Sequence, residues 1–485
     1  MLLLPPAPAA AGEQPPTPDP RFGIVETFVN PEAATAAGAG YTRVILRWDV
    51  IQPTGPADWQ PANVPDPLIA GELAAGRQVM GLLIGTPAWA VSPHVPAVPG
   101  EPASIAVPDM AHWEAFVRRV AQHYRGRIGH WVIWNEPDVW MAGHPGRTWA
   151  GSEADYSALL KTAYLAIKGV DPDMVVAMAG LTYYWDWSHG RRRYLDRLLD
   201  IIVSDPDAAR HGYYFDAVVY HLYFTPMQIV SVLEETWATL ARRGIAGKQV
   251  WINETNAPPS DDPLEPPWST PAFRVSLAEQ AAFILQAHAL AFAAGAGRVE
   301  VYKLRNTADH PESIEPFGLL RGDNSPRPAF WAYQTATRYL GGFRHAYRQQ
   351  LGPVQAVTFD RRDATTTVLW TTGRAPATAR VAAISPQALL VDELGRSQPI
   401  AATAGAYTIP LPGATCTQEN PCRIGGAPRL LVEQGAANGR VALLPPPSAV
   451  AGPPAALPRP ATPAADACSL SGFRPGRPDR RPAPC

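Results

Sequence analysis

The sequence predicts an α/β protein, a (β/α)8 barrel followed by a small antiparallel β-sandwich-like domain. This expectation rests on three features. Eight short apolar runs alternate with helical stretches over about 290 residues, the size and rhythm of eight βα units. The fourth and seventh of those runs each end in a glutamate. After Gly342 the rhythm changes to short strand-like pieces separated by turn-rich text. A doubly wound open sheet is the alternative arrangement of the first region.

The eight runs are residues 22–27, 43–48, 78–85, 131–135, 174–180, 215–221, 249–254 and 298–304. A continuous apolar run such as Val79-Met80-Gly81-Leu82-Leu83-Ile84 suits a strand buried on both faces. Between the runs lie amphipathic helices. Over 109–125, Met110, Trp113, Phe116, Val117, Val120 and Tyr124 fall on one helical face, with Asp109 placed as N-cap. Over 153–168 that face is Tyr156, Leu159, Leu160, Ala163, Tyr164 and Ile167, and 273–294 reads as a third long helix. Beyond 342 the strand-like pieces are 365–370, 379–384, 389–391, 407–411 and 429–432. The expected division is a Pro/Ala-rich segment (1–20), the barrel (21–342), a small all-β domain (343–435) and a Pro/Ala-rich tail (436–485). Residues 1–20 hold 7 of the 54 Pro and residues 436–485 hold 12. The tail keeps too few bulky apolar side chains to bury a core, so it is expected to be disordered.

Several function classes fall away. The formal net charge is -2, against the basic surface a nucleic-acid binder needs. No apolar run reaches the roughly 18–20 residues of a membrane-spanning helix. No phosphate-binding loop, zinc-protease helix or nucleophile elbow occurs. Gly38-Ala39-Gly40 and Gly295-Ala296-Gly297 precede strand-like runs, where a dinucleotide loop must follow one. They read as helix ends.

The four Cys all lie late, at 416, 422, 468 and 485, so thiol catalysis in the barrel is not expected. Their even number in loop-rich text suits disulfides and an oxidising compartment, with free thiols the alternative. Cys416 and Cys422 are spaced to close a short loop, Cys468 and Cys485 to close the tail. Met1-Leu2-Leu3-Leu4 and the Pro/Ala text ending near Ala9-Ala10-Ala11 resemble the second half of a signal peptide without its positive n-region. The expectation is an exported, extracellular or cell-surface protein.

In a (β/α)8 barrel the active site lies at the C-terminal ends of the strands. Run four ends Trp134-Asn135-Glu136-Pro137 and run seven ends Asn253-Glu254-Thr255-Asn256. Strands four and seven face each other over the barrel mouth. Two carboxylates across a cleft are what glycoside hydrolysis needs, one to protonate the leaving oxygen and one to attack the anomeric carbon or activate water. Run six continues through His221-Leu222-Tyr223, and period-2 alternation puts His221 and Tyr223 on one face. Arg47 and Trp48 close run two, Trp89 follows run three, and Trp185 and Trp187 follow run five. Aromatic rings stack on apolar sugar faces as they pack on one another. Arg191-Arg192-Arg193 reads as a solvated helix start, with an acidic-sugar contact the alternative, and Asp261-Asp262 offers carboxylates to a Ca2+ ion that no other feature of the sequence supports.

These residues resemble clan A glycoside hydrolases, most closely glycoside hydrolase family 39 and its relatives. The resemblance spans about 22–435. It rests on Arg47-Trp48 with Ile51-Gln52-Pro53, Gly85-Thr86-Pro87-Ala88-Trp89-Ala90, Asn135-Glu136-Pro137, His221-Leu222-Tyr223, Glu254, and the segment 318–333 with Pro326, Arg327, Pro328 and Ala329. It implies that Glu136 is the general acid/base and Glu254 the nucleophile. It also implies that Asn135 binds the sugar 2-hydroxyl and that His221 and Tyr223 flank the reacting sugar. Asn253-Glu254-Thr255-Asn256 departs from the commonest family form, and Tyr302, Lys303 and Arg305 stand where an aromatic platform is usual.

The expectation is therefore a retaining glycoside hydrolase acting on a β-glycoside or plant-type polysaccharide, β-xyloside-like by the resemblance. Glu136 and Glu254 are its catalytic pair. Asn135, His221, Tyr223, Arg47, Trp48, Trp89, Trp185 and Lys303 are its substrate-binding candidates. Retention requires carboxyl groups about 5–5.5 Å apart. Neither a metal nor an organic cofactor is expected. A catalytically silent carbohydrate-binding protein and a transglycosylase on the same barrel are the competing readings.

Overall fold

A computed structural model describes residues 18–445, apart from 96, 266–272, 307–315, 418–421, 438 and 440. The expected N-terminal segment to residue 17 and the tail from 446, with Cys468 and Cys485, lie outside the described residues.

Eight parallel strands close into a barrel: β1 (Asp19–Ile24), β2 (Ala39–Arg47), β3 (Gln78–Ile84), β4 (His130–Ile133), β5 (Val175–Leu181), β6 (Ala217–Tyr223), β7 (Gln249–Asn256) and β8 (Arg298–Val301). They follow one another around the barrel in chain order, and β8 returns to β1 through Phe22–Val299 and Ile24–Val301. This excludes the open doubly wound sheet. All eight expected runs contain a strand.

The helices that pack outside are α1 (Pro31–Ala37), α2 (Asp66–Ala74), α3 (Met110–His123), α4 (Glu153–Val170), α5 (Tyr194–Ser204), α6 (Pro226–Arg242), α7 (Leu277–Ala293) and α8 (Pro328–Leu340). Asp109 caps α3 by accepting from the Ala111 and His112 amides. The third long helix starts later than its apolar pattern suggests, because Ser276 and Glu279 form a reciprocal capping box at Leu277. Both glycine pairs read as helix ends are so: Gly38 (φ 79°) follows α1 and Gly295 (φ 91°) follows α7.

The barrel interior is filled by Tyr41, Met80, Leu82, Val132, Ala177, Ala217, Val219 and Trp251. Strand β1 contributes space instead of bulk. A Cβ on Gly23 would sit 2.4 Å from the Tyr41 ring, so the glycine lets Tyr41 cross the interior. Outward-facing Phe22, Val44, Leu46, Ile133 and Ile252 pack under the helices.

The C-terminal strands form two antiparallel sheets. Six strands run in the order β14 (Ser397–Ala401), β13 (Gln387–Asp392), β16 (Arg429–Gln434), β11 (Ala364–Thr371), β10 (Val354–Asp360), β9 (His345–Leu351). Three run in the order β15 (Ala406–Leu411), β12 (Ala377–Ala382), β17 (Leu443–Leu444). Val354, Leu369, Val381, Ile409 and Leu431 pack together as their core. Val357, Phe359, Val368 and Trp370 belong instead to the barrel's outer core. Strand β10 is thus buried on both faces, which masks its alternation, while β9 is a largely polar, half-exposed edge strand. Strand β17 lies past residue 435, where the tail was expected to begin. Cys416 and Cys422 form a disulfide with Cα atoms 5.0 Å apart. No helix among the described residues is long and apolar enough to cross a membrane.

Candidate active site

The chain leaves β4 in an unusual conformation. Trp134 and Glu136 both have positive φ, 72° and 40°. Trp134 turns outward and is buried against Trp113 and Trp149, with its Nε1 donating to Thr148 O at 2.7 Å. Asn135 bridges to Gly180 of β5, and the Glu136 amide donates to Gly180 O at 3.0 Å. These contacts aim Glu136 into the mouth of the barrel. On the opposite side, the β6–β7 pairing shifts register between Tyr220 and His221, and the β7–β8 pairing shifts between Ile252 and Thr255. That irregularity places Glu254 over the interior.

The two carboxylates meet on His221. Its Nδ1 is 2.7 Å from Glu136 Oε1 and 3.4 Å from Glu254 Oε2. One donor atom from each of the three residues lies within 4.8 Å of the others. Tyr223 Oη donates to Glu254 Oε2 at 2.6 Å, and Arg43 Nη2 donates to Glu254 Oε1. Burial opposes charge on Glu254. The His221 and Arg43 charges, with the hydrogen bonds from Tyr223 and Arg43, outweigh it and hold the carboxyl below its ordinary range. Burial likewise opposes protonation of His221, but Glu254 and Glu136 raise its pKa above the ordinary value. Burial, then the Glu254 charge, push the Tyr223 phenol well above its usual pKa. Glu254 therefore sits as a buried, ionised carboxylate, while Glu136 is the more open of the two.

His221 owes its position to the absence of a side chain. A Cβ on Gly180 would fall 1.9 Å from His221 Nε2, so the imidazole lies directly on the β5 backbone.

The remaining candidates separate. Asn135 stands beside Glu136, its carbonyl accepting from Thr148 Oγ1, and its side chain has no hydrogen-bond partner among the described residues. Arg47 lies at the cleft rim, paired with Asp49. Trp89 is half-buried, with its Nε1 donating to Gln52 O at 2.7 Å. Trp185 is half-buried between His144 and His189. Lys303 is buried, with Nζ 3.6 Å from Glu26 Oε2. Trp48 is a correction. It is fully buried, packed on Phe116 and Trp113, and its Nε1 donates to Gln52 Oε1 at 2.7 Å. It opens the helical turn after β2 and points away from the cleft, so it cannot touch substrate. Asp262 is buried in ion pairs with Arg321 and Arg327, which supply its countercharge.

Arg43 is the residue that strand-end reasoning missed. Alternation puts Tyr41, Arg43, Ile45 and Arg47 on one face of β2. The strand-end rule favours Arg47, but Arg43, deeper along the same face, has the reach to rise under Glu254. Ile45, between them, is 52% exposed. Two further buried acids were also missed. Glu300 of β8 is fully buried and neither of its oxygens has a hydrogen-bond partner among the described residues. Burial pushes it up to about 8, with Arg43 opposing and Glu254 adding to the shift. Asp138 is pushed up to about 7, by burial first and then by Glu136.

Glu136, His221 and Glu254 are also close enough to ligate a divalent cation. The donor chemistry disfavours it: the Arg43 guanidinium already neutralises Glu254, and Tyr223 occupies its other oxygen.

No protein-family model and no curated protein matches the chain. Solved structures do. A family 39 glycoside hydrolase from the gut symbiont Bacteroides cellulosilyticus superposes with a TM-score of 0.64 at 19% identity, covering 86% of this chain and 81% of that one. A family 30 endoxylanase from Clostridium papyrosolvens gives 0.60 at 13% identity, covering 86% and 97%. A monomeric β-xylosidase from Caulobacter crescentus gives 0.56 at 13%, covering 86% and 96%. The barrel with its appended β-sheets is thus the fold of clan A glycoside hydrolases, as the sequence resemblance implied. Among them the family 39 and family 30 enzymes are similar to it over most of its length.

Proposed function

We propose that the chain is a retaining glycoside hydrolase of exported type, cleaving a β-glycoside by double displacement. The observation that carries this reading is the convergence of Glu136 and Glu254 on His221, with donor atoms within 4.8 Å. Retaining pairs stand about 5–5.5 Å apart, whereas inverting pairs leave roughly 6.5–9.5 Å for a water. An approach within 4.8 Å lies on the retaining side of these two ranges and supports that reading.

In the first step Glu254 attacks the anomeric carbon, the glycosidic bond breaks, and Glu136 gives its proton to the departing oxygen. His221, Arg43 and Tyr223 keep Glu254 ionised, and the last two hold one oxygen each. In the second step water attacks the same carbon, Glu136 takes its proton, and the bond to Glu254 breaks. The side chain of Asn135, with no hydrogen-bond partner among the described residues, supports a role in binding the 2-hydroxyl. Every proton moves between Glu136, the leaving group and water, so no cofactor enters. The names of the similar structures, a β-xylosidase and an endoxylanase, favour a β-xyloside among β-glycosides. The Cys416–Cys422 disulfide supports an oxidising compartment.

The test is hydrolysis of a panel of aryl glycosides by the wild type, Glu136→Ala and Glu254→Ala. Loss in both variants is expected. Azide should restore Glu136→Ala with a β-glycosyl azide product and Glu254→Ala with an α-glycosyl azide. Activity surviving Glu254→Ala would overturn the assignment.

A further inference from the structure

Among the described residues, three Trp, Tyr or Phe side chains are more than a third exposed, and all three lie in two neighbouring loops. They are Trp140 (38%), in the loop after β4, and Tyr184 (47%) and Trp187 (63%), after β5. Their rings are linked. Trp140 meets His189 at 5.4 Å, His189 stacks on Trp185 at 5.8 Å, and Tyr184 lies 6.2 Å from both Trp185 and Trp187. These spacings are comparable to the length of one pyranose residue. A contiguous exposed ring surface of this kind marks a binding site more than a scatter of single apolar side chains would.

The surface is held rigid from beneath. Asp138 Oδ2 accepts from the Thr182 amide and hydroxyl, each at 2.8 Å, and from the Tyr183 amide at 3.1 Å. That carboxylate ties the two loops together. The Arg191 guanidinium covers one face of Trp140 at 4.5 Å. Asp186, the acid inside this loop pair, is buried, so no exposed carboxylate interrupts the rings.

Its place relative to the carboxylates defines what it binds. Trp140 is four residues beyond Glu136, and the second loop leaves β5, which is bonded to the Glu136 segment through Gly180. Glu254 stands three strands away on β7. The group that protonates the departing oxygen lies against the departing half of the substrate, so these rings are on the leaving-group side.

We infer that Trp140, Tyr184 and Trp187 form a leaving-group-side platform for a β-linked pyranose chain, which makes the protein an enzyme of polysaccharides. β-Linked chains with equatorial hydroxyls present flat C–H faces, which aromatic rings stack against. The inference rests on the assignment of Glu136 as proton donor.

Affinity electrophoresis of the full chain tests it, in native gels containing arabinoxylan, mixed-linkage β-glucan or glucomannan, with starch as the α-linked contrast. At least one β-glycan is expected to retard the wild type and Glu254→Ala alike, with starch inert. Trp187→Ala/Tyr184→Ala should weaken that binding about tenfold, the size of one or two ring-stacking contacts. It should lower kcat/KM on the polymer relative to an aryl glycoside by a similar factor. Trp187→Phe/Tyr184→Phe, which keeps the ring faces, should restore most of both. No retardation by any β-glycan, equal retardation by starch, or retardation unchanged in the double Ala variant would overturn the platform. Aryl-glycoside hydrolysis is read separately. Absence in the wild type of both aryl-glycoside hydrolysis and chain cleavage of the retarding β-glycan, with Trp187-dependent retardation intact, would sink the catalytic assignment and leave the β-glycan platform.

Discussion

Arg43 of β2 and Glu254 of β7 form a buried ion pair across the mouth of the barrel. Neither residue's neighbours in sequence hint at the other, which is 211 positions away. The pair settles the charge state of the site. A carboxylate removed from water this far would ordinarily take up a proton, and the His221 charge together with the guanidinium opposes it.

Arg43→Met should lower kcat by about 100-fold or more, as loss of a preorganised charge contact at the reacting group does. It should also move the acidic limb of the kcat/KM profile to higher pH. Arg43 holds the Glu254 pKa down, so its removal lets burial raise it. The pH profile on an aryl glycoside reads both effects. An acidic limb unmoved by the substitution would separate Arg43 from the ionisation of Glu254.

Gly180→Ala places a methyl group where His221 Nε2 now lies. The imidazole must leave Glu136 and Glu254. A displacement of about 1 Å costs roughly 100-fold in rate. The expected variant folds, by circular dichroism and thermal melting, and has lost activity. Full activity would show that His221 does not need its present seat.

Glu300 makes stability depend on pH. Its folded-state pKa of about 8 lies above the ordinary 4.5. Between those values the folded protein keeps a proton that the unfolded chain releases, so stability falls as pH rises through this window. A tenfold difference in proton affinity between the two states is worth about 1.4 kcal/mol. Glu300→Gln removes the ionisation. Its Tm advantage over the wild type should widen from pH 5 to pH 8. A gap that stays flat would mean that Glu300 is already charged in the folded protein.

Chelation should leave the rate unchanged, because Arg43 and Tyr223 already satisfy Glu254. Dialysis against EDTA followed by the aryl-glycoside assay checks this. Loss of activity restored by a divalent cation would reassign Glu136, His221 and Glu254 as ligands.

Much of this was legible in the chain. The eight runs end within a few residues of the observed strands because a parallel barrel buries both faces of each, leaving uninterrupted apolar text. Glu136, His221, Tyr223 and Glu254 were legible for the same reason: polar residues at the mouth of such a strand stand out. Alternation also placed His221 and Tyr223 on one face, and both reach Glu254. Trp48 was misplaced because a Trp after a strand looks the same whether it turns toward the cleft or under the helices.

The barrel, the strand-end carboxylates and the change to antiparallel strands are all written in local periodicity, which needs only neighbours along the chain. Other features exist only once the chain is folded: which arginine meets Glu254, the room that Gly180 leaves for His221, and the full burial of Glu300 beneath the site. The shared exposure of Trp140, Tyr184 and Trp187 is another. These depend on strands and loops far apart in sequence, brought together by barrel closure and register, to which no local pattern refers.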